Sequence, residues 1–196
     1  MARSSGVLEF AVLGLLHDSP MHGYELRKRI GSELGTFRAY SYGSLYPALK
    51  TMTKDGLIEA DDFSGVGRRS KIVYTLTADG KDRFQELISQ SGPASWEDEA
   101  FGVHLAFFAR TNKDVRLRIL EGRRSRLEER LDTLRTSLRN ASARVDNYTL
   151  ALQEHGLESV EREVRWLNEL IATERDGSPS SRRTKASSDA PAKFEK

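Results

Sequence analysis

The chain is 196 residues long, with no cysteine, 31 Lys and Arg against 29 Asp and Glu, and a net charge of +2. Lack of cysteine excludes disulfides, thiolate metal sites and thiol redox chemistry. The four histidines (His17, His22, His104, His155) are scattered without ligand spacing, so no metal is expected. No apolar run approaches the ~20 residues needed to span a bilayer. The first residues lack the apolar centre of a signal peptide, so a soluble protein of the cytoplasm is expected, with no membrane partner.

In chain order, Ser4 or Ser5 is placed to cap a core helix carrying Leu8, Ala11, Val12, Leu15 and Leu16, which ends before Ser19-Pro20. A second helix follows His22-Gly23 with Leu26, Ile30 and Leu34 inward and Tyr24, Arg27 and Lys28 on or beside its outer face. Residues 35–40 are a connector. In the next helix Leu45, Leu49 and Met52 fall at i, i+4 and i+7, an apolar stripe, while Tyr46, Lys50 and Thr53 share another face. Pro47 suits a helix start, which makes Ser44 the preferred N-cap and Ser41 the alternative. Gly56 supplies a left-handed C-cap. Residues 57–63 and 71–76 read as strands, with Ile72, Tyr74 and Leu76 alternating onto one side, and Thr77 caps a helix over 78–88. Between the strands, residues 64–70 form a glycine-containing tip bearing Arg68 and Arg69, with Lys71 beside it.

Helix, helix, helix, hairpin and helix within about ninety residues is the order of a winged helix-turn-helix, in which the third helix enters the major groove and the wing straddles neighbouring backbone. Ser41, Tyr42, Ser44, Tyr46, Thr53 and Lys50 can then reach phosphates or base edges, Tyr24 a phosphate, and Arg68, Arg69 and Lys71 neutralise phosphates at the wing. Tyr46 covering core and Lys50 on a merely solvated face are the bland alternatives. Local basic excess at residues 22–50 and 64–71 favours a phosphate-bearing partner.

Ser91-Gly-Pro-Ala-Ser95 marks a boundary between a unit over 1–90 and one over 95–175. A helix over 96–110 carries Trp96, Phe101, Phe107 and Phe108. Asn112 then caps a long helix. Its heptad seam runs through Leu117, Leu120, Arg124, Leu127, Leu131, Leu134, Leu138, Ala141, Val145, Tyr148 and Leu152, and stops at Gly156. A last helix over 157–174 repeats the spacing. About 36 residues at ~1.5 Å each make the long helix roughly 54 Å, more than its successor covers, so a second copy is expected to share Leu117, Leu120, Leu127, Leu131, Leu134, Leu138 and Val145. Residues 176–196 read as a disordered basic tail. Trp96, Phe101, Phe107, Phe108, Tyr148 and Trp166 are either dimer core or the lining of an apolar effector pocket, and His104 and Arg110 beside them are candidates for holding an anion. The fold expected is mostly α with a small β-hairpin: a winged helix-turn-helix followed by a long-helix dimerisation unit.

The N-terminal half resembles the PadR family of bacterial transcriptional regulators. The resemblance lies in Val12-Leu-Gly-Leu-Leu16, His22-Gly-Tyr-Glu-Leu26, Gly43-Ser-Leu-Tyr-Pro-Ala-Leu49, Asp55-Gly-Leu-Ile58, Arg69, Lys71-Ile-Val-Tyr74 and Leu76-Thr-Ala-Asp-Gly80. It implies a homodimeric repressor on an inverted-repeat operator in double-stranded DNA, released by a small molecule or another signal, with Tyr24, Tyr46 and the wing cations on DNA. Thr53 departs from the leucine or charged residue often found there in the family. No cofactor is implied. An enzyme is disfavoured because no nucleophile–base set or phosphate loop is present. An adaptor whose winged helix binds a protein partner is the remaining rival.

Overall fold

A computed structural model describes residues 2–34, 42–63, 71–141 and 146–177. Helix α1 (Ala2–Asp18) starts ahead of Ser4 and Ser5, so neither serine caps it. Its Phe10, Ala11, Val12, Leu13, Leu15 and Leu16 are all buried, because other elements pack around most of its circumference. Strand β1 (Met21–His22) leads directly into α2 (Gly23–Arg29), which continues as a π-turn over Ile30–Leu34. Helix α3 spans Tyr42–Lys54. Ser44 therefore lies inside it rather than at its cap, and the alternative cap, Ser41, is outside the described residues. Pro47 is also interior. Its missing N–H would have met the Gly43 carbonyl one turn back; both residues are exposed, so solvent can serve that carbonyl instead.

The end of α3 follows the expected chemistry. Gly56 has φ +74°, its N–H donates to the Thr53 carbonyl at 3.2 Å, and the Leu57 N–H donates to the Met52 carbonyl at 2.9 Å. This is a Schellman closure, and it holds Leu57 out of the strand. Strand β2 accordingly begins at Ile58 (Ile58–Phe63) and pairs antiparallel with β3 (Lys71–Leu76), Ile58 opposite Leu76 and Phe63 opposite Lys71. On its other edge β3 pairs with β1, Met21 opposite Tyr74. The sheet is thus three-stranded, in the order β1-β3-β2. Two residues are too few to show a period, which is why β1 escapes sequence reading. Helix α4 (Ala78–Ser89) is capped by Thr77 as expected, its hydroxyl oxygen accepting from the Gly80 N–H at 3.0 Å.

The expected helix over 96–110 is three pieces. A 3-10 turn over Pro93–Trp96, helix α5 (Asp98–Ala106) and a second 3-10 turn over Phe108–Arg110 are separated by Glu97 in extended conformation and Phe107 near φ −103°, ψ 13°. Next come α6 (Lys113–Ala141) and α7 (Asn147–Asp176). The long helix expected to run unbroken to Gly156 instead ends at Ala141, and Gly156 lies within α7. Asp146 makes the new start by accepting from the backbone N–H groups of Tyr148 and Thr149 at 2.9 and 3.0 Å. At 29 and 30 residues the two helices match in length, which removes the premise that one greatly outreaches the other. They run antiparallel: Arg116 meets Glu174, Arg123 meets Glu163 and Arg135 meets Glu161.

Among the described residues there are two hydrophobic cores. One gathers α1–α4 and the sheet, with Val103 and Phe107 from the following segment; the other gathers Phe101, α6 and α7. The Ser91–Ser95 stretch between them is strapped down. Ser95 is buried and its hydroxyl donates to the Gln90 carbonyl, while the Trp96 indole N–H donates to the Ser91 carbonyl at 3.2 Å. Gly122 of α6 admits the Trp96 ring so closely that a Cβ there would fall 2.1 Å from it.

Candidate nucleic-acid interface

Burial of Leu45, Leu49 and Met52 seats α3 on the first core and turns Ser44, Tyr46, Lys50, Thr51 and Lys54 outward. Tyr46 is 55% exposed, which removes the reading in which it merely covers core. Thr53 is exposed, but its hydroxyl donates to the Leu49 carbonyl at 2.9 Å, so its proton is turned back on its own helix. Tyr24, at the start of α2, is 68% exposed. Beside it Lys28 and Arg27 face solvent, and Arg29 pairs with Glu25 at 3.2 Å. Ser41, Arg68 and Arg69 lie outside the described residues. So do the side chains of Tyr42, the first residue of α3, and Lys71, the first of β3.

The structure brings Tyr24 and Tyr46 together around a recess of about 440 Å³, bordered also by His22, Glu25, Ile72 and Tyr74 and floored by Gly23. Gly23 is what permits the approach, since a Cβ at that position would stand 3.2 Å from Tyr46 Cε1 and 3.5 Å from Tyr74 Cε2. The Nδ1–H of His22 donates to the Ile72 carbonyl at 3.3 Å, tying the start of α2 to β3. Burial, with the neighbouring Tyr46 adding to it, raises the Tyr74 hydroxyl above its ordinary pKa, so it stays a neutral hydrogen-bonding group. The alternation that predicts Ile72 on the inner side holds for Tyr74 and Leu76, both 8% exposed, but Ile72 itself is 44% exposed. It lies past the edge of the core on the same strand face. Sequence period reports the face of a strand, not how far the core beneath it extends.

Of the aromatic residues expected to line one effector pocket, Trp96, Phe101, Phe108 and Trp166 gather in the second core, while Phe107 and Tyr148 lie apart from them. Phe107 belongs to the first core, 5.5 Å from Phe10 and 5.4 Å from Phe84 between ring centroids. Phe101 and Trp166 meet edge to face at 6.3 Å in the second core, against which Trp96 and Phe108 also pack. Tyr148 is 90% exposed on α7. Nor do His104 and Arg110 form an anion site: Arg110 pairs with Asp18, and burial holds His104 neutral. Of the expected dimer residues, Leu120, Leu127 and Leu131 are buried within the chain's own α6–α7 core, which leaves them unavailable to a second copy. Leu117, Leu134 and Leu138 are half-buried, and Val145 lies outside the described residues. Among the described residues no group of three or more His, Asp or Glu side chains is placed to hold a metal ion.

Sequence reasoning missed Arg123, which is 6% exposed. Its guanidinium donates to Glu163 at 2.7 and 2.9 Å, to the Trp96 carbonyl at 2.8 Å and to Asp98 at 2.5 Å, and it lies over the Phe101 ring. It joins the start of α5 to both long helices. The only signal for it in the sequence is its place one residue before the seam position Arg124, where a charge reads as solvated.

Comparison with known proteins adds three findings. Residues 12–86 match the Transcriptional regulator PadR-like family. Over 176 residues, 85% of this chain and 96% of the relative, the chain is 26% identical to the negative transcriptional regulator PadR of Bacillus subtilis (strain 168). Solved structures of Bacillus subtilis PadR are also similar. The complex with operator DNA is 24% identical, covers 86% of this chain and 99% of that one, and has a TM-score of 0.43. The complex with p-coumaric acid is 25% identical with the same coverage and a TM-score of 0.40.

Proposed function

Because residues 12–86 belong to the PadR-like family of transcriptional regulators, we infer that the chain works as a homodimeric repressor that occupies an inverted-repeat operator in double-stranded DNA and is released by a small molecule or another signal. The observation that carries the DNA-binding part is the outward face of α3. Tyr46, Ser44 and Lys50 project from a helix whose opposite stripe is locked into the core, with Tyr24, Arg27 and Lys28 of α2 alongside. Hydroxyls and ammonium groups on a rigid helix flanked by further cations are the chemistry of phosphate and base-edge contact. In this reading the wing cations Arg68, Arg69 and Lys71 add backbone contacts. The name of the Bacillus subtilis relative favours repression as the direction of control.

A regulator of this kind binds without catalysing, and it works where chromosomal DNA is, in the cytoplasm. No helix among the described residues is long and apolar enough to cross a membrane. Dimerisation would set two α3 helices on half-sites about one turn of DNA apart or a multiple of it.

Salt titration separates this reading from a protein-binding adaptor. With duplex DNA selected by the protein, the logarithm of affinity should fall linearly with the logarithm of salt, by about 0.9 per phosphate neutralised. Replacing Arg68 and Arg69 with Ala should flatten that slope by up to about two units. Binding to no duplex at low salt would exclude the DNA-binding reading.

A further inference from the structure

Among the described residues five large apolar side chains stand exposed, and three of them, Tyr24, Tyr46 and Ile72, border the same recess. Isolated exposed apolar groups are ordinary; several around one concavity mark a binding surface. Ile72 is the informative member. A hydroxyl is useful on any DNA-facing surface, but a branched aliphatic side chain left 44% exposed beside the recognition helix offers a polyanion neither charge nor hydrogen bond.

The surroundings state what kind of partner brings an apolar group there. Lys50 is exposed on α3, and Lys28 and Arg27 on α2. Glu25, the acid at the rim, is neutralised by Arg29. An apolar recess in a cationic frame fits a polyanion that carries an apolar substituent. On the base edges of the B-DNA major groove that substituent is the thymine C5-methyl; the remaining groups there are hydrogen-bond donors and acceptors.

We propose that this recess receives the methyl group of one thymine in each operator half-site, against Ile72 and the ring of Tyr46. The inference rests on the DNA-binding reading above and adds the identity of a base. It gives Gly23 a part as well, because the absent Cβ leaves the floor of the recess open to the Tyr46 ring. The rival apolar surface on DNA, the deoxyribose, recurs at every nucleotide and specifies no sequence.

The full-length protein is used to select duplexes from a random pool, and each thymine of the resulting half-site is then replaced in turn by deoxyuridine. That change deletes the methyl and leaves pairing intact. One position per half-site should lose roughly fourfold in affinity, the weight of one methyl group removed from apolar contact. In Ile72→Ala the same deoxyuridine should cost clearly less than fourfold, since the methyl keeps only the Tyr46 ring as a partner. Half-sites without a fixed thymine, or deoxyuridine neutral at every position, would overturn the proposal in favour of a sugar contact. A deoxyuridine penalty that persists in full in Ile72→Ala would overturn it by placing the methyl elsewhere. Selection of no duplex at all would remove the DNA-binding reading itself, a separate failure from loss of the methyl effect alone.

Discussion

At the scale of single residues, burial without a partner governs His104. It is 4% exposed on α5, its ring stands edge-on to Phe10 of α1 at 4.8 Å, and its Nδ1 has no hydrogen-bond partner among the described residues. Removal from water lowers its pKa from the ordinary 6.5 to about 4. The unfolded chain therefore binds a proton below pH 6.5 that the folded one refuses. This contribution to stability is complete above pH 6.5 and declines as pH falls toward 4, by about 3 kcal/mol in all. Urea denaturation between pH 7.5 and 4 should show wild type losing more stability than His104→Leu by that amount; parallel curves would mean that the proton is accommodated. Nothing in the sequence distinguishes His104 from a solvated histidine. Phe101, Val103, Leu105 and Phe107 flank it at alternate positions of the sequence, a pattern without helical period, so the side of α5 that takes the core is decided by packing against α1.

At the scale of elements, one hydroxyl joins two helices. The Thr77 hydroxyl directs its one proton between the Gly56 and Leu57 carbonyls, at 2.7 and 2.9 Å, where α3 ends, and accepts from the Gly80 N–H, where α4 begins. Thr77→Val should cost about 1 kcal/mol through loss of the cap, and Thr77→Ser should retain most of it. Gly80 is the tighter constraint, because a Cβ there would meet the Leu57 carbonyl oxygen at 2.0 Å, and backbone cannot swing aside as a side chain can. Gly80→Ala is expected to cost roughly 2–3 kcal/mol despite alanine's better helix propensity. A urea midpoint for Gly80→Ala at or above that of wild type would show that the two segments can part freely. These joints are also where the sequence was most legible. Gly56 and Thr77 announce their roles by chemistry local to the turn, so the ends of α3 and β3 and the start of α4 were readable within a residue or two. The candidate site was legible as far as Tyr24, Tyr46 and Lys50, which follow from helical period. It was not legible at Ile72 or His22, whose positions depend on β1 pairing with β3 across about fifty residues of chain.

At the scale of the whole molecule, the lesson of α6 and α7 is that a heptad pattern specifies a seam but not the partner that fills it. Leu120, Leu127 and Leu131 close against Val160, Leu167 and Ile171 of the same chain, because Asp146 restarts the helix and lets it return. Arg123 then fixes this hairpin to the segment that follows the winged helix. Arg123→Met strands the Trp96 carbonyl and the half-buried Glu163, and should lower stability by about 2 kcal/mol, less than for a fully buried pair because Asp98 and Glu163 keep some access to water. Thermal denaturation checks it. The homodimer of the functional reading must use surface that this folding-back leaves free. Tyr148 and Leu152, 90% and 70% exposed, are four residues apart on one face of α7, at the hairpin's turn end. Two large apolar groups side by side on an exposed helix are a surface that a second copy would cover. The double substitution Tyr148→Ser and Leu152→Ser is therefore expected to shift sedimentation equilibrium from dimer to monomer while leaving helical circular dichroism and the melting temperature of the hairpin intact. Leu127→Ala serves as the opposite control, costing about 3 kcal/mol through a cavity in the chain's own core with the dimer still assembled. A dimer undiminished by the double substitution would sink the turn-end assignment and move the interface to the half-buried Leu117, Leu134 and Leu138 on α6.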